Sequence, residues 1–263
     1  MVIDTHAHLN DIRFSEYGTE NVYYKDIINN MQSEGVKRIV TVSYDYESMQ
    51  KNLLLATENE NVYCVLGVHP QDCKNYSHSA EEFMINNAAH NKVVAIGEIG
   101  LDYHYDTNDY EIQKDVFIKQ IILADKLNLP LVLHIRDAMG DVIDILKAHK
   151  QYLNNGFIAH CYSGSVESAV VLLNLGGFIS FAGPITYKNG KNLIEVAKSV
   201  PLNKILTETD CPYLSPEPLR GKINQPKNTV YVANKLAEIL NIDTETMHNI
   251  TMQNAYSIFK KLK

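Results

Sequence analysis

The sequence predicts an α/β chain closed into a (β/α)8 barrel of the TIM type, with parallel strands and an extra C-terminal helix. Three observations predict it. Eight short β-branched runs alternate with longer amphipathic patterns, which means parallel strands joined by crossover helices. The first run leads into HAHLND, where a doubly wound open sheet usually carries a Gly-rich phosphate loop. Several runs also end on histidines or carboxylates, which a barrel gathers at one mouth.

In chain order, VID (2–4) is followed by the helical pattern YYKDIINNMQSEG (23–35), RIVTVS (38–43) by YESMQKNLLLATENE (46–60), and VYCVLGV (62–68) by SAEEFMINNAAH (79–90). VVAIGEIG (93–100) precedes DYEIQKDVFIKQIILADKLN (109–128), LVLHI (131–135) precedes AMGDVIDILKAHK (138–150), and FIAHC (157–161) precedes SVESAVVLLNLG (165–176). GFISFAG (177–183) precedes KNLIEVAKSV (191–200). KILTETD (204–210) is followed by two helical patterns, NTVYVANKLAEIL (228–240) and TETMHNITMQNAYSIFKKLK (244–263). No solenoid repeat, low-complexity tract or Gly/Ser linker interrupts the series, so residues 1–263 read as a single domain.

A hydrophobic fraction of 45% and a charged fraction of 21% are ordinary for a globular chain. Cys64, Cys73, Cys161 and Cys211 form no C-x-x-C pair, which points to a reducing, cytoplasmic setting and not to a disulfide framework. No stretch reaches the roughly 18 apolar residues of a membrane span, and no basic-then-apolar leader precedes VIDTHAH. A formal charge of −7 argues against broad coating of nucleic acid.

The chemistry lies where the runs end. Strand alternation places Asp4, His6 and His8 on one face. Glu98 closes the fourth run, His134 the fifth, His160 the sixth, and Glu208 and Asp210 the eighth. Any one of these alone reads as a polar cap or a surface histidine; together they exceed what one tetrahedral ion with about three protein ligands needs. A pair of divalent ions about 3.5–4 Å apart, bridged by Glu98, accounts for them better. Such a site stays positive by about one unit after Glu98, Asp210 and a hydroxide are counted, and so welcomes an anion. Imidazole and carboxylate donors suit zinc, magnesium or manganese.

Taken in order, HAHLND, GVHP, GEIGLDYH, HIRDA, HCYSGS and ETDCPYLSP resemble the signature blocks of the TatD family of metal-dependent deoxyribonucleases, within the amidohydrolase superfamily. The resemblance implies one metal held by His6, His8, Glu98 and Asp210 and a second held by Glu98, His134 and His160. It implies hydrolysis of DNA, single-stranded or end-accessible, by metal-activated water, with Asp210 and Glu98 as catalytic residues. Substrate contacts are expected from His69 in GVHP, from Tyr103 among the tyrosines that follow strand ends (Tyr105, Tyr162, Tyr213), and from Arg220 and Lys222, with Lys227, in LRGKINQPKN. Ile223 stands where the family often has a second basic residue. Cys161 and Cys211, on extended backbone, are expected to point away from their ligand neighbours as inert thiols. Two alternatives stay open at this level: a two-metal hydrolase of a small ester, amide or phosphotriester, and a non-catalytic barrel binding nucleic acid or a partner.

Overall fold

The computed structural model describes residues 1–15, 22–105 and 109–262. Eight strands, all parallel and paired in sequence order, form the sheet: β1 (Val2–Ala7), β2 (Val36–Val42), β3 (Val62–Leu66), β4 (Val93–Asp102), β5 (Leu131–Arg136), β6 (Phe157–Ala159), β7 (Gly177–Phe181) and β8 (Ile205–Thr207). The intervening helices are α1 (Tyr24–Asn30), α2 (Tyr46–Glu58), α3 (His78–Asn87), α4 (Tyr110–Lys126), α5 (Met139–Ala148), α6 (Val166–Asn174) and α7 (Lys191–Ser199), with α8 (Thr229–Leu240) and α9 (Thr244–Ile258) after β8. Asp45 with Ser48 and Ser165 with Ser168 form reciprocal caps that start α2 and α6, satisfying N–H groups the first turn leaves open.

The sheet closes between β1 and the chain beyond β8. Ala7 pairs with Cys211, Asp210 N–H donates to the His6 carbonyl (2.9 Å), and His8 N–H to the Cys211 carbonyl (2.8 Å). The seam therefore holds two stretches of the predicted site side by side.

Two apolar layers build the barrel. One packs strand residues such as Val2, Ile39, Leu66, Ile96 and Leu133 against the helices. The other draws Ile3, Val40, Val65, Val94, Val132, Ile158, Phe178 and Leu206 from the eight strands together with Ala255, Ile258, Phe259 and Leu262. This second layer fills the lumen, and the end of α9 and the residues after it stop the amino-terminal end. The helix predicted over 244–263 stops at Ile258 because Phe259 leaves helical geometry (φ −92°, ψ 78°) and turns inward; Lys263 lies outside the described residues.

Gly97 and Gly67 let β3, β4 and β5 approach closely beneath the mouth. A Cβ on Gly97 would lie 2.7 Å from the Val132 carbonyl oxygen, and one on Gly67 2.5 Å from the Gly97 oxygen. No side chain fits there, and Glu98 is the next residue.

Candidate metal centre

Glu98 is buried at the carboxyl end of the barrel, and its two oxygens serve two groups of donors. Oε2 lies 3.2 Å from His6 Nε2 and 3.8 Å from His8 Nε2; those nitrogens are 3.3 Å apart, and Asp210 Oδ1 lies 3.7 and 3.3 Å from them. A tetrahedron with ligands at about 2.0–2.2 Å has edges of about 3.3–3.6 Å, and His6, His8 and Asp210 are spaced as ligands to one ion, with Glu98 Oε2 beside the two imidazoles. Oε1 lies 2.7 Å from His134 Nδ1 and 2.8 Å from His160 Nε2, which are 3.5 Å from each other. This three-donor group borders the cleft. The donor set fits a metal centre built around Glu98, whose carboxylate faces both groups.

The histidines are held from behind. His134 Nε2 meets Asp102 Oδ2 at 3.1 Å, and His160 Nδ1 meets Glu208 Oε1 at 3.2 Å. His8 Nδ1 lies 3.3 Å from the Val42 carbonyl. Such partners fix the tautomer and aim of a ligand histidine. His6 is placed differently: its ring stacks on that of His160 at 3.9 Å, and Nδ1 has no hydrogen-bond partner among the described residues.

Glu208 accepts from Cys161 N–H (2.6 Å) and Ser180 Oγ–H (2.5 Å), and Asp102 from Gln71 Nε2–H (2.7 Å) and His104 N–H (3.0 Å). Burial opposes the charge on Glu98, but the His160 and His6 imidazoles and the bonds from His134 and His160 hold its carboxyl well below the usual range. Asp102 behaves likewise: burial raises it, while His134 and the backbone N–H of His104 bring it down to about 2.

Strand alternation fails at three places, each of which shapes the centre. The β1–β2 ladder slips between Asp4 and Ala7, so Asp4 does not join His6 and His8. Its carboxyl instead accepts from Thr209 N–H and Oγ–H (2.9 and 2.6 Å), and burial pushes it up to about 8. β6 ends before His160, and Cys161 turns left-handed (φ 41°), which puts it on the cleft wall instead of the far side of the strand. β8 ends at Thr207, and Asp210 is also left-handed (φ 55°), so Asp210 reaches His6 and His8 while Glu208 stands behind His160. Cys211, by contrast, is fully buried.

Above the donors opens a cleft of about 650 Å³. His69 lines it, with Nε2 3.6 Å from Glu98 Oε1; its Nδ1 accepts from Gln71 N–H (3.1 Å), which leaves the hydrogen on Nε2. Burial and the neighbouring His134 lower its pKa to about 3, so it is neutral. Three expected substrate contacts are not in this cleft. The Tyr103 hydroxyl donates to Asp141 Oδ2 (2.7 Å). The Arg220 guanidinium lies 4.3 Å above the Tyr187 ring, and Lys222 borders a separate pocket with Val22, Leu219, Ile223, Gln225, Lys227 and Asn228. Lys227 pairs with Glu34 at 2.8 Å. Tyr162 borders the cleft but is buried, its hydroxyl donating to the Ser165 carbonyl. What the sequence reading missed is Asp102, Arg136 and Tyr44. Asp102 is four residues past Glu98 on one strand and Arg136 two past His134, an even spacing that signals a shared face.

The model of TatD-related DNases matches residues 3–260. The chain is 40% identical over 260 residues to the uncharacterized metal-dependent hydrolase YabD of Bacillus subtilis strain 168, covering 99% of each. It is 34% identical over 258 residues to YcfH, an uncharacterized metal-dependent hydrolase of Escherichia coli K12, covering 98% of this chain and 95% of that one. Among solved structures it is similar to YjjV, a TatD homologue from Escherichia coli K12, with a TM-score of 0.88, 29% identity and 98% of each chain covered. With the family match running nearly end to end over a barrel whose mouth gathers these donors, the chain belongs to the TatD family of metal-dependent hydrolases.

Proposed function

We infer that the protein hydrolyses phosphodiester bonds of DNA at a pair of divalent ions, held on one side by His6, His8, Glu98 and Asp210 and on the other by Glu98, His134 and His160. The observation that carries the reading is the division of Glu98, with Oε2 3.2 Å from His6 and Oε1 2.7 Å from His134. When bound, such ions polarise a phosphoryl oxygen and lower the pKa of water toward about 7. Asp210 turns Oδ1 to His6 and His8, so its other oxygen is the proton acceptor for the attacking water. Neutral His69 donates from Nε2 to a non-bridging oxygen. Arg136, the one lysine or arginine among the described residues that line the cleft, neutralises a flanking phosphate. Four free cysteines fit a reducing cytoplasm.

The sparse basic lining favours a second reading, hydrolysis of a small phosphoester or carboxylic ester. Assays of single-stranded DNA and small esters, each with and without chelator, separate the two. The DNA reading expects chelator-sensitive cleavage of the oligonucleotide and a fall of about 10²–10⁴-fold in the Asp210→Asn variant. Wild-type rates in that variant, or cleavage that survives chelation, would overturn it.

A further inference from the structure

The cleft has an aromatic side. Tyr213 and Tyr44, 47% and 37% exposed, flank His8 with ring centroids 6.1 and 6.5 Å from the imidazole. Exposed phenols normally move freely, but Tyr213 is held. The Arg13 guanidinium lies 4.2 Å from its ring centroid and covers one face, and its hydroxyl donates to Asp11 Oδ2 at 3.4 Å. Arg13 is fixed in turn by a fork onto Asp11, from Nε to Oδ1 and from Nη2 to Oδ2, both 2.8 Å, while Asp11 also accepts from Arg13 N–H. Immobilising a half-exposed ring costs side-chain entropy and buries little apolar surface, so its return lies in what the ring meets.

We propose that Tyr213, backed by Arg13, is a stacking platform for the nucleobase beside the scissile phosphate, and that Tyr44 bounds the same notch. This rests on the DNA reading of the metal centre and names how that site grips its substrate. Tyr213 lines the cleft beside His8, a donor of the first group, within reach of a base attached to a phosphate at the centre. Of the cleft residues on this side, Asp11 is committed to Arg13, His8 to the metal donor set, and Leu214 is apolar. The Tyr44 hydroxyl, which both donates and accepts, can meet any base edge and so distinguishes none. The platform therefore responds to stacking area, favouring purines over pyrimidines without a sequence code.

The test is steady-state cleavage of short single-stranded oligonucleotides by the metal-loaded protein, with a purine, a pyrimidine or an abasic residue placed beside the cut bond. Tyr213→Ala and Tyr213→Leu are expected to raise KM about tenfold and to keep kcat within about twofold; Tyr213→Phe, which keeps the ring, behaves as wild type. Removing the base costs wild type the same factor and costs the Ala and Leu variants nothing further. The platform is overturned if the two losses multiply, if Phe is as poor as Ala, or if kcat falls at unchanged KM. Matched metal content and melting temperature in Tyr213→Leu separate this from misfolding, and the abasic comparison in wild type needs no variant. If wild type cleaves no oligonucleotide yet hydrolyses small esters, the DNA reading itself fails and the platform with it.

Discussion

Asp102 and Glu208 touch His134 and His160 from behind, and their loss is expected to be felt in metal binding before it is felt in folding. Asp102→Asn is expected to weaken the ion beside His134 by about 10–100-fold, read by competition with a chromophoric chelator, while the His6 and His8 side keeps its ion. Glu98→Gln should empty both sides. At Asp11, burial raises the carboxyl, and the fork and N–H of Arg13 more than offset this, leaving it below its ordinary 3.8. A group depressed on folding stabilises above its unfolded pKa and loses that contribution as pH falls through the folded one. Arg13 should thus hold the Tyr213 ring from neutral pH down to about 4 and release it only below; near-UV circular dichroism should show an inflection there that Asp11→Asn lacks. The convergence of His6, His8, Glu98, His134, His160 and Asp210 was legible in the sequence because strand ends meet at one mouth of a barrel. Tyr103 was expected to meet substrate, but its hydroxyl reaches Asp141 in the first turn of α5, a link between distant segments that no local pattern signals.

The strands and helices were legible as elements, since each run carries its own period and α2, α3, α6 and α9 their N-caps. Their ends were not. FIAHC and KILTETD read as strands through the ligands, but the backbone turns left-handed at Cys161 and Asp210 without a glycine to announce it. Asp is among the residues that tolerate this conformation, a weak signal beside the apolar run before it. In β4 the signal was strong: Gly97→Ala must push against Val132 and shift the residue carrying the bridging carboxylate. Weaker metal binding and lower stability are both expected, read by metal titration and urea denaturation. Phe259, buried after α9 among lumen residues, is remote from the mouth. Phe259→Ala should cost about 3–5 kcal/mol in urea denaturation with kcat retained.

Counting charge over the whole site changes the expectation taken from the ligands alone. The two divalent ions proposed above would face not only Glu98 and Asp210 but also Asp102 and Glu208, and the excess positive charge read from the sequence vanishes once the buried carboxylates behind His134 and His160 are included. Attraction for a phosphate would then come from the bound metal itself and from Arg136, on a molecule of net charge −7. The dependence of log KM on log salt should accordingly be shallow, with a slope of about one or two phosphates' worth, against the six to ten of a DNA-coating protein. Chelation should abolish turnover while far-UV circular dichroism stays barrel-like, because the two apolar layers do not depend on the ions. No described helix is long and apolar enough to cross a membrane.

The stopper formed by Ile258, Phe259 and Leu262 makes the lumen a blind alley. A polymer cannot be threaded through it, so arrival and departure use one doorway. For the DNA substrate proposed above, each cut end would have to back out before the next bond is presented, and a released phosphate monoester would compete with incoming substrate for the same threshold.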